Sequence, residues 1–533
     1  MGMDRAGIVF APSATLNERI RGLFPPGAIY NCSTESIGTV AERRMRQLSF
    51  DIRSQLDWME TLNDADTRVI WVAEARAKEM TDIELTYVLD ELAYYASLHP
   101  PGSNIRLSAA DGVWFSDTLL DAETTSKLRD YAAILENVPD RQRDWYPSDR
   151  SRVLNLIDPS LYPLVYGRSK LCLQTNTSPQ AALSLKDEGE FPGWLPSEFC
   201  VDDNGAITIE SYINNLHPVK HAALYPIIAN VFAKFLPLLE QVVIDLVHPR
   251  EPRVQLKSYN YYESDEPMPD RDSEDYSEDL RLWRMGAKFI LPQPDPLVAP
   301  PRPIVPYKLG GRRLQAIVKV ANVELTSKRS IYSGEDWTVA GLENERIIAT
   351  GMFFYDVDNI APCSLKFREA LHSWDFMVEQ FDIDSVVEVY GIERDRLVES
   401  DVISQELGTI GIKDGLCLVF PNILQYKISE LKLADKKKPG HCKMLTFYFV
   451  DPSTRIPSTA SVPPQQQAWY FEDVLVSEPF CSLPQLVVDG ILSKVDFPIS
   501  LKEAKGLRPQ VHKDQTSTYI TSTLFEPHLY FST

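Results

Sequence analysis

Two stretches, Trp337 to Asn359 and Phe420 to Asp451, limit most sharply what this chain can fold into. Both interleave β-branched and aromatic residues with Gly, Pro, Asn and Asp, as in Ile347-Ile348-Ala349-Thr350-Gly351-Met352-Phe353-Phe354-Tyr355-Asp356. The second passes from Phe420-Pro421-Asn422 through a basic turn, Lys436-Lys437-Lys438-Pro439-Gly440, into another such run. Side chains of this kind suit a pleated, half-buried surface and the breakers punctuate it, so strands joined by turns are expected. Leu314–Leu325, Ile347–Tyr355, Gly415–Pro421 and Met444–Val450 read as strands, Ser385–Tyr390 as a shorter one, and Cys363–Trp374 as an intervening helix. Strands that do not alternate regularly with helices point to an antiparallel sandwich or jelly roll rather than a parallel sheet.

The preceding residues have a different rhythm. From Thr39 onward, and again over Val69–Lys78, Asp82–Leu98 and Ala122–Val138, apolar residues recur mostly three or four apart, the spacing of one helical face. A further helix carries Leu224, Ile227, Ile228, Val231, Phe232 and Phe235 on its apolar side. Nine acidic residues and two prolines between Glu263 and Asp279 read as a solvated surface loop. Prolines crowding Pro292 to Pro306 read as an extended linker. At 533 residues the chain is too long for one core. The expected division is a mostly helical 1–150, a mixed 151–306, a strand-rich core at 307–465 and a C-terminal extension at 466–533.

A formal net charge of −21 argues against broad nucleic-acid binding or attachment to an anionic membrane. Seven scattered cysteines without a Cys-x-x-Cys pair indicate neither a zinc ribbon nor a disulfide scaffold. With no charged leader and no long apolar run read from the sequence, a cytoplasmic protein is expected. Of eight histidines only His217 and His221 are spaced to share a helical face, and no third ligand is apparent beside them.

Several longer runs carry a resemblance. They are Asp158-Pro159-Ser160-Leu161-Tyr162-Pro163-Leu164-Val165-Tyr166-Gly167-Arg168, Ser211-Tyr212-Ile213-Asn214-Asn215-Leu216-His217-Pro218, and Val318 to Thr326. Asn344-Glu345, Pro421-Asn422, Pro439-Gly440-His441, Val450-Asp451-Pro452 and Val462-Pro463-Pro464-Gln465-Gln466 complete the set. Over roughly residues 40 to 510 the chain resembles a fungal family known as domain of unknown function 4246. The resemblance implies an α+β fold: a double-stranded β-helix (jelly roll) core wrapped by a largely helical N-terminal region. It also implies likeness to non-haem Fe(II) oxygenases that use 2-oxoglutarate, which hold iron with two histidines and a carboxylate. In the family pattern two ligands would come from Trp-His-x-Glu-Gly and the third from a His after Pro-Asn-x-x-Gln. An Arg after Pro-Gly-His would pair with the cosubstrate carboxylate.

This chain departs at each position. Thr338 and Ala340 stand where His and Glu are implied, Tyr426 where the distal His is, and Cys442 where the Arg is. Arg346 replaces another common His. Neither iron nor any other cofactor is therefore expected. The candidate catalytic residues are Tyr426, a hydrogen-bond donor to a carbonyl or enolate, Glu345, a general base if buried, and Lys443, beside the implied anion position. Thr338, Ala340, Asn344, Arg346, Tyr355, Cys442 and His217 are candidate substrate contacts. Each has a plainer reading as filler, scaffold or solvated surface.

The expected function is a metal-independent enzyme that cyclises or isomerises a small apolar metabolite in fungal natural-product biosynthesis. A non-catalytic pseudo-oxygenase that binds a metabolite or partner is the first alternative. An Fe(II)/2-oxoglutarate oxygenase with other ligands is the second. A small molecule is the expected partner, nucleic acid and membrane are not, and the oligomeric state is left open.

Overall fold

The computed structural model describes residues 38–511 apart from 56, 99–103, 147–151, 171–191, 248–251, 271, 274, 299–307, 335, 371–375, 380–381, 395–403, 476, 493 and 495–497. Residues 1–37, part of the proline run and the last residues of the C-terminal extension lie outside that description.

Strands β1 (Arg106–Leu107), β2 (Trp114–Ser116), β3 (Asp144–Trp145), β4 (Val153–Ile157), β5 (Ser197–Val201), β6 (Ile207–Ile209), β7 (Tyr262–Glu263) and β8 (Lys288–Phe289) precede the proline run. After it come β9 (Arg313–Leu325), β10 (Ile331–Tyr332), β11 (Ile347–Asp358), β12 (Ser364–Ala370) and β13 (Ser404–Gly411). The series closes with β14 (Cys417–Pro421), β15 (Gln425–Ile428), β16 (Leu431–Lys432) and β17 (Gly440–Val450). A ten-stranded sheet runs β1-β2-β14-β11-β17-β9-β4-β3, with β5 joined to β9 and β6 to β5. A three-stranded sheet, β13-β12-β15, and a pair, β10-β16, lie apart from it. All these pairings are antiparallel. The molecule is thus a mixed α+β fold around a large antiparallel sheet, and that sheet draws in strands from residues 106–209 as well as from 307–465.

Alternation along the central strands gives the large sheet two buried faces. Ala349, Phe353 and Tyr355 of β11, Cys417 and Val419 of β14, and Leu445, Phe447 and Phe449 of β17 share a core with the Leu224–Val247 helix. Their neighbours Met352, Phe354, Leu418, Phe420, Cys442 and Met444 face the other way, toward Leu365, Phe367, Tyr426 and Ile428 of the small sheet. The helix is long and apolar enough to cross a membrane by length and composition, and most of it is buried as this core element. Phe232 stacks on Phe199 at 4.2 Å and meets Phe447 edge-on at 5.2 Å. Gly351 permits the close approach: a Cβ there would stand 2.9 Å from the rings of Phe235 and Phe449.

Two expected elements are exchanged. Ser364–Ala370 is a strand rather than part of a helix, because Leu365 and Phe367 alternate into the space between the sheets. Ile383–Tyr390 is a helix rather than a strand. Asp382 caps it through Ser385 N at 3.1 Å, Gly391 ends it at φ 63°, and Val386, Val389 and Tyr390 pack as one helical face around Tyr261. The β-branched content of that segment favours a strand locally, and tertiary packing overrides it. Within the acidic stretch a helix begins at Tyr276, and the Trp283 indole donates back to the Glu266 carbonyl at 2.9 Å.

Candidate functional site

Thr338 and Tyr426 exchange both backbone hydrogen bonds, at 3.1 and 3.0 Å, and so join the segment before β11 to β15. The Thr338 hydroxyl donates to the Val339 carbonyl at 3.3 Å. Tyr426 is turned between the sheets and is 5% exposed, its ring edge-on to Phe420 at 4.9 Å. Cys442 is fully buried in the same apolar core. Ala340 is packed among Trp194, Ile317, Ile347 and Tyr448. The Asn422 side chain fixes its backbone, accepting from Ala340 N at 3.1 Å and donating to Ala340 O at 2.8 Å.

These residues do not fit Fe(II). The three implied ligand positions offer a hydroxyl engaged with its own backbone, a methyl group, and a phenol in an aromatic core. None supplies imidazole or carboxylate, the donors such a centre uses. Among the described residues no group of three or more His, Cys, Asp or Glu is arranged to hold a metal ion.

Glu345 lies beside Ala340, and its chemistry is that of a clamp. One carboxylate oxygen accepts from Trp194 N and the other from Leu342 N, each at 2.5 Å, and the side chain is fully enclosed. Burial pushes its pKa up to about 7, with the two backbone bonds pulling the opposite way. That value suits proton exchange near neutrality, but both oxygens are committed to the protein's own backbone. Asn344 donates to the Tyr166 hydroxyl at 3.4 Å. Arg346 takes a left-handed φ of 50° and its carbonyl accepts from Asp451 N at 2.8 Å.

Tyr355 and Lys443 are on the opposite face of the large sheet, against the Ala122–Glu136 helix. Lys443 Nζ is 3.0 Å from Glu136 and 3.4 Å from Asp356. The Tyr355 hydroxyl donates to Asn322 at 3.3 Å, and burial pushes this phenol far above its ordinary range. Burial also acts upward on Asp356, but His441 (2.9 Å away), Lys443 and Arg129 outweigh it and hold the carboxylate below its usual value. His217 lies elsewhere again. Its Nδ1 accepts from Val219 N and Lys220 N at 3.2 and 3.3 Å, and its ring sits 4.8 Å from Trp469. The structure therefore gathers Thr338, Ala340, Tyr426 and Cys442 around one sheet face, sets Asn344, Glu345 and Arg346 just before the central strand β11, and separates Tyr355, Lys443 and His217 from them.

A second place was not anticipated. Trp469 also lines a cleft of about 210 Å³, together with Asp144, Asn155, Asp158, Tyr162, Asn215 and Gln466. Asn and Gln side chains hold its frame by hydrogen bonds. Asn215 donates to the carbonyls of Asp158 and Leu161 at 2.7 Å each, and Gln466 donates to Asn214 and Asn215 at 2.8 and 3.0 Å. Arg508, from the helix 501–511, bridges Asp144 at 2.5 Å and Asp158 at 3.2 Å. The available signal was the density of Asn, Asp, Gln and Tyr in the runs 158–168, 211–218 and 462–466. In the sequence those runs served only to mark kinship.

Compared with known proteins, residues 82–473 match the family described as "Protein of unknown function (DUF4246)". No curated protein matches. Among solved structures, a selenomethionine-labelled Fe(II)/(alpha)ketoglutarate-dependent dioxygenase, TqaL, is 8% identical, with 62% of this chain and 80% of that chain covered and a TM-score of 0.24. IDO from Bacillus thuringiensis is 6% identical over 64% of this chain and 89% of that one, TM-score 0.26. A bsmA homolog from Methylobium petroleophilum is 8% identical over 28% and 45%, TM-score 0.17. Likeness at those scores carries no argument.

Proposed function

We propose that this chain, which belongs to the DUF4246 family, is a metal-independent binding protein on a double-stranded β-helix, a pseudo-oxygenase whose iron positions have become core. The strand order supports the β-helix. From β9 onward the chain places β9, β11, β14 and β17 in the large sheet. Strands β12, β13 and β15 form the small sheet, which the Thr338–Tyr426 bridge extends. Two facing sheets fed alternately by one chain are what a jelly roll requires.

The observation that carries the functional reading is the pairing of Thr338 with Tyr426, whose ring is buried against Phe420. Cyclisation or isomerisation of an apolar metabolite would need the phenol to face a dry but open space, where it could stabilise developing negative charge. Its surroundings are those of a filled interior instead, which argues against turnover at this place.

The test is metal content. Protein isolated from iron-supplemented cells without chelators is expected to carry far less than one iron per chain, with no change in Tyr426→Phe. Near-stoichiometric iron that is lost in Thr338→Val or Tyr426→Phe would overturn the reading.

A further inference from the structure

The cleft beside Trp469 is assembled from parts distant in the chain: β3, β4 and the turn after it, residues 214–217, the start of the Gln467–Leu475 helix, and the helix 501–511 behind it. We propose that it binds a small, neutral, polyhydroxylated molecule of about the size of one sugar ring.

Size sets the first limit. At about 210 Å³ the cleft falls below the roughly 300–1,000 Å³ of sites for drug-sized ligands. Charge sets the second. Asp144 and Asp158 both face Arg508, whose side chain is only 4% exposed, and Lys505 stands 3.7 Å from Asp144. An anion would meet two carboxylates, and the one buried cation is already held by them. A cationic ligand would have to displace that arginine. A neutral ligand avoids both penalties.

Hydrogen-bonding capacity identifies the groups on the ligand. Tyr162 is 6% exposed, and its hydroxyl has no partner among the described residues. Burial pushes the phenol up to about 12, so it stays a protonated donor. The indole N–H of Trp469 is likewise without a partner among the described residues. Acceptors stand beside these donors: the remaining lone pairs of the two carboxylates, and Gln466 Oε1, which is buried with no partner of its own. A hydroxyl group both donates and accepts, so a ring of hydroxyls can satisfy such a mixed wall. The Trp469 ring, Leu161 and Ala468 give the cleft an apolar side for the C–H face of the same ring.

The backbone is unusual at the same place. Tyr162 and Asn215 both line the cleft, and both have left-handed φ values, 52° and 68°. Asparagine tolerates that region, whereas a bulky aromatic rarely enters it. The network of Asn214, Asn215 and Gln466 holds these residues in place without a ligand.

The test uses the full chain and saturation-transfer NMR, with D-glucose and myo-inositol as neutral probes at millimolar concentration. Putrescine and glucose 6-phosphate serve as charged controls. Transfer is expected from a neutral probe and from neither control. Ala468→Tyr, which fills the cleft from an exposed position, and Tyr162→Phe are each expected to weaken binding about tenfold. An unchanged thermal midpoint for Ala468→Tyr would show that its loss is not unfolding. Absence of transfer from both neutral probes would overturn the proposal, as would preferential transfer from a charged probe or binding undisturbed in Ala468→Tyr. None of these outcomes depends on whether the 338–426 region binds iron.

Discussion

The space between the two sheets and the cleft beside Trp469 are both rich in aromatic side chains, yet they are built in opposite ways. Between the sheets, strand alternation sends Phe354, Phe367, Phe420, Tyr426 and Cys442 inward, and their contacts are chiefly with one another. At the cleft, Asn and Gln side chains donate to backbone carbonyls and Asp side chains pair with Arg508, rather than packing on a hydrophobic neighbour. The difference separates a scaffold from a surface that can recognise something. Close packing excludes a ligand, whereas a satisfied polar frame leaves shape and a few spare donors and acceptors open.

The largest expected effect sharpens the scaffold side. Phe420→Ala removes a fully buried ring that meets both Phe367 and Tyr426 edge-on, and should cost about 3–5 kcal/mol in urea unfolding. A loss under about 1 kcal/mol would mean that the interior already contains free space.

Glu345 tests the join between the regions, since Trp194 bonds to Glu345 through its backbone and to Ser160 through its indole at 3.1 Å. Its folded pKa, about 7, lies above the ordinary 4.5. The associated stability is therefore fully present below pH 4.5 and is lost as pH rises through about 7. The advantage of wild type over Glu345→Gln should shrink by on the order of 3 kcal/mol across that window. Parallel stability curves would place the carboxyl in water.

Asn215→Ala attacks the cleft frame. It removes two 2.7 Å bonds and puts alanine at a left-handed φ, for an expected cost of about 2 kcal/mol. Asn215→Gly should recover the conformational part and not the hydrogen bonds, and calorimetric melting separates the two. The smallest effect is that of Ala468→Tyr at an exposed position, expected within about 0.5 kcal/mol of wild type by the same melt. A large loss there would make the cleft part of the core.

The two regions were also unequally legible in the sequence. Period-two runs of branched and aromatic residues locate β9, β11, β14 and β17, because that signal is local. Residues 385–390 misled for the same reason: their β-branched content is local, while their packing around Tyr261 is not. Adjacent residues such as Cys442 and Lys443 must point to opposite faces of a strand, but only the fold shows that Cys442 faces the small sheet and Lys443 the Glu136 helix. The cleft has no local spacing at all. Asp144, Asp158, Asn215, Gln466 and Arg508 become one site only when five separate segments meet.

Cys442 reports most directly on whether the positions once implied for iron and cosubstrate are now interior, because it stands among them and is 0% exposed. Alkylation of the native protein with iodoacetamide, read by peptide mass spectrometry, is expected to modify exposed Cys481 and to leave Cys442 untouched until denaturant is added. Modification of Cys442 in the native state at a rate comparable to Cys481 would contradict the account, because it would show an open chamber where the structure has a packed wall.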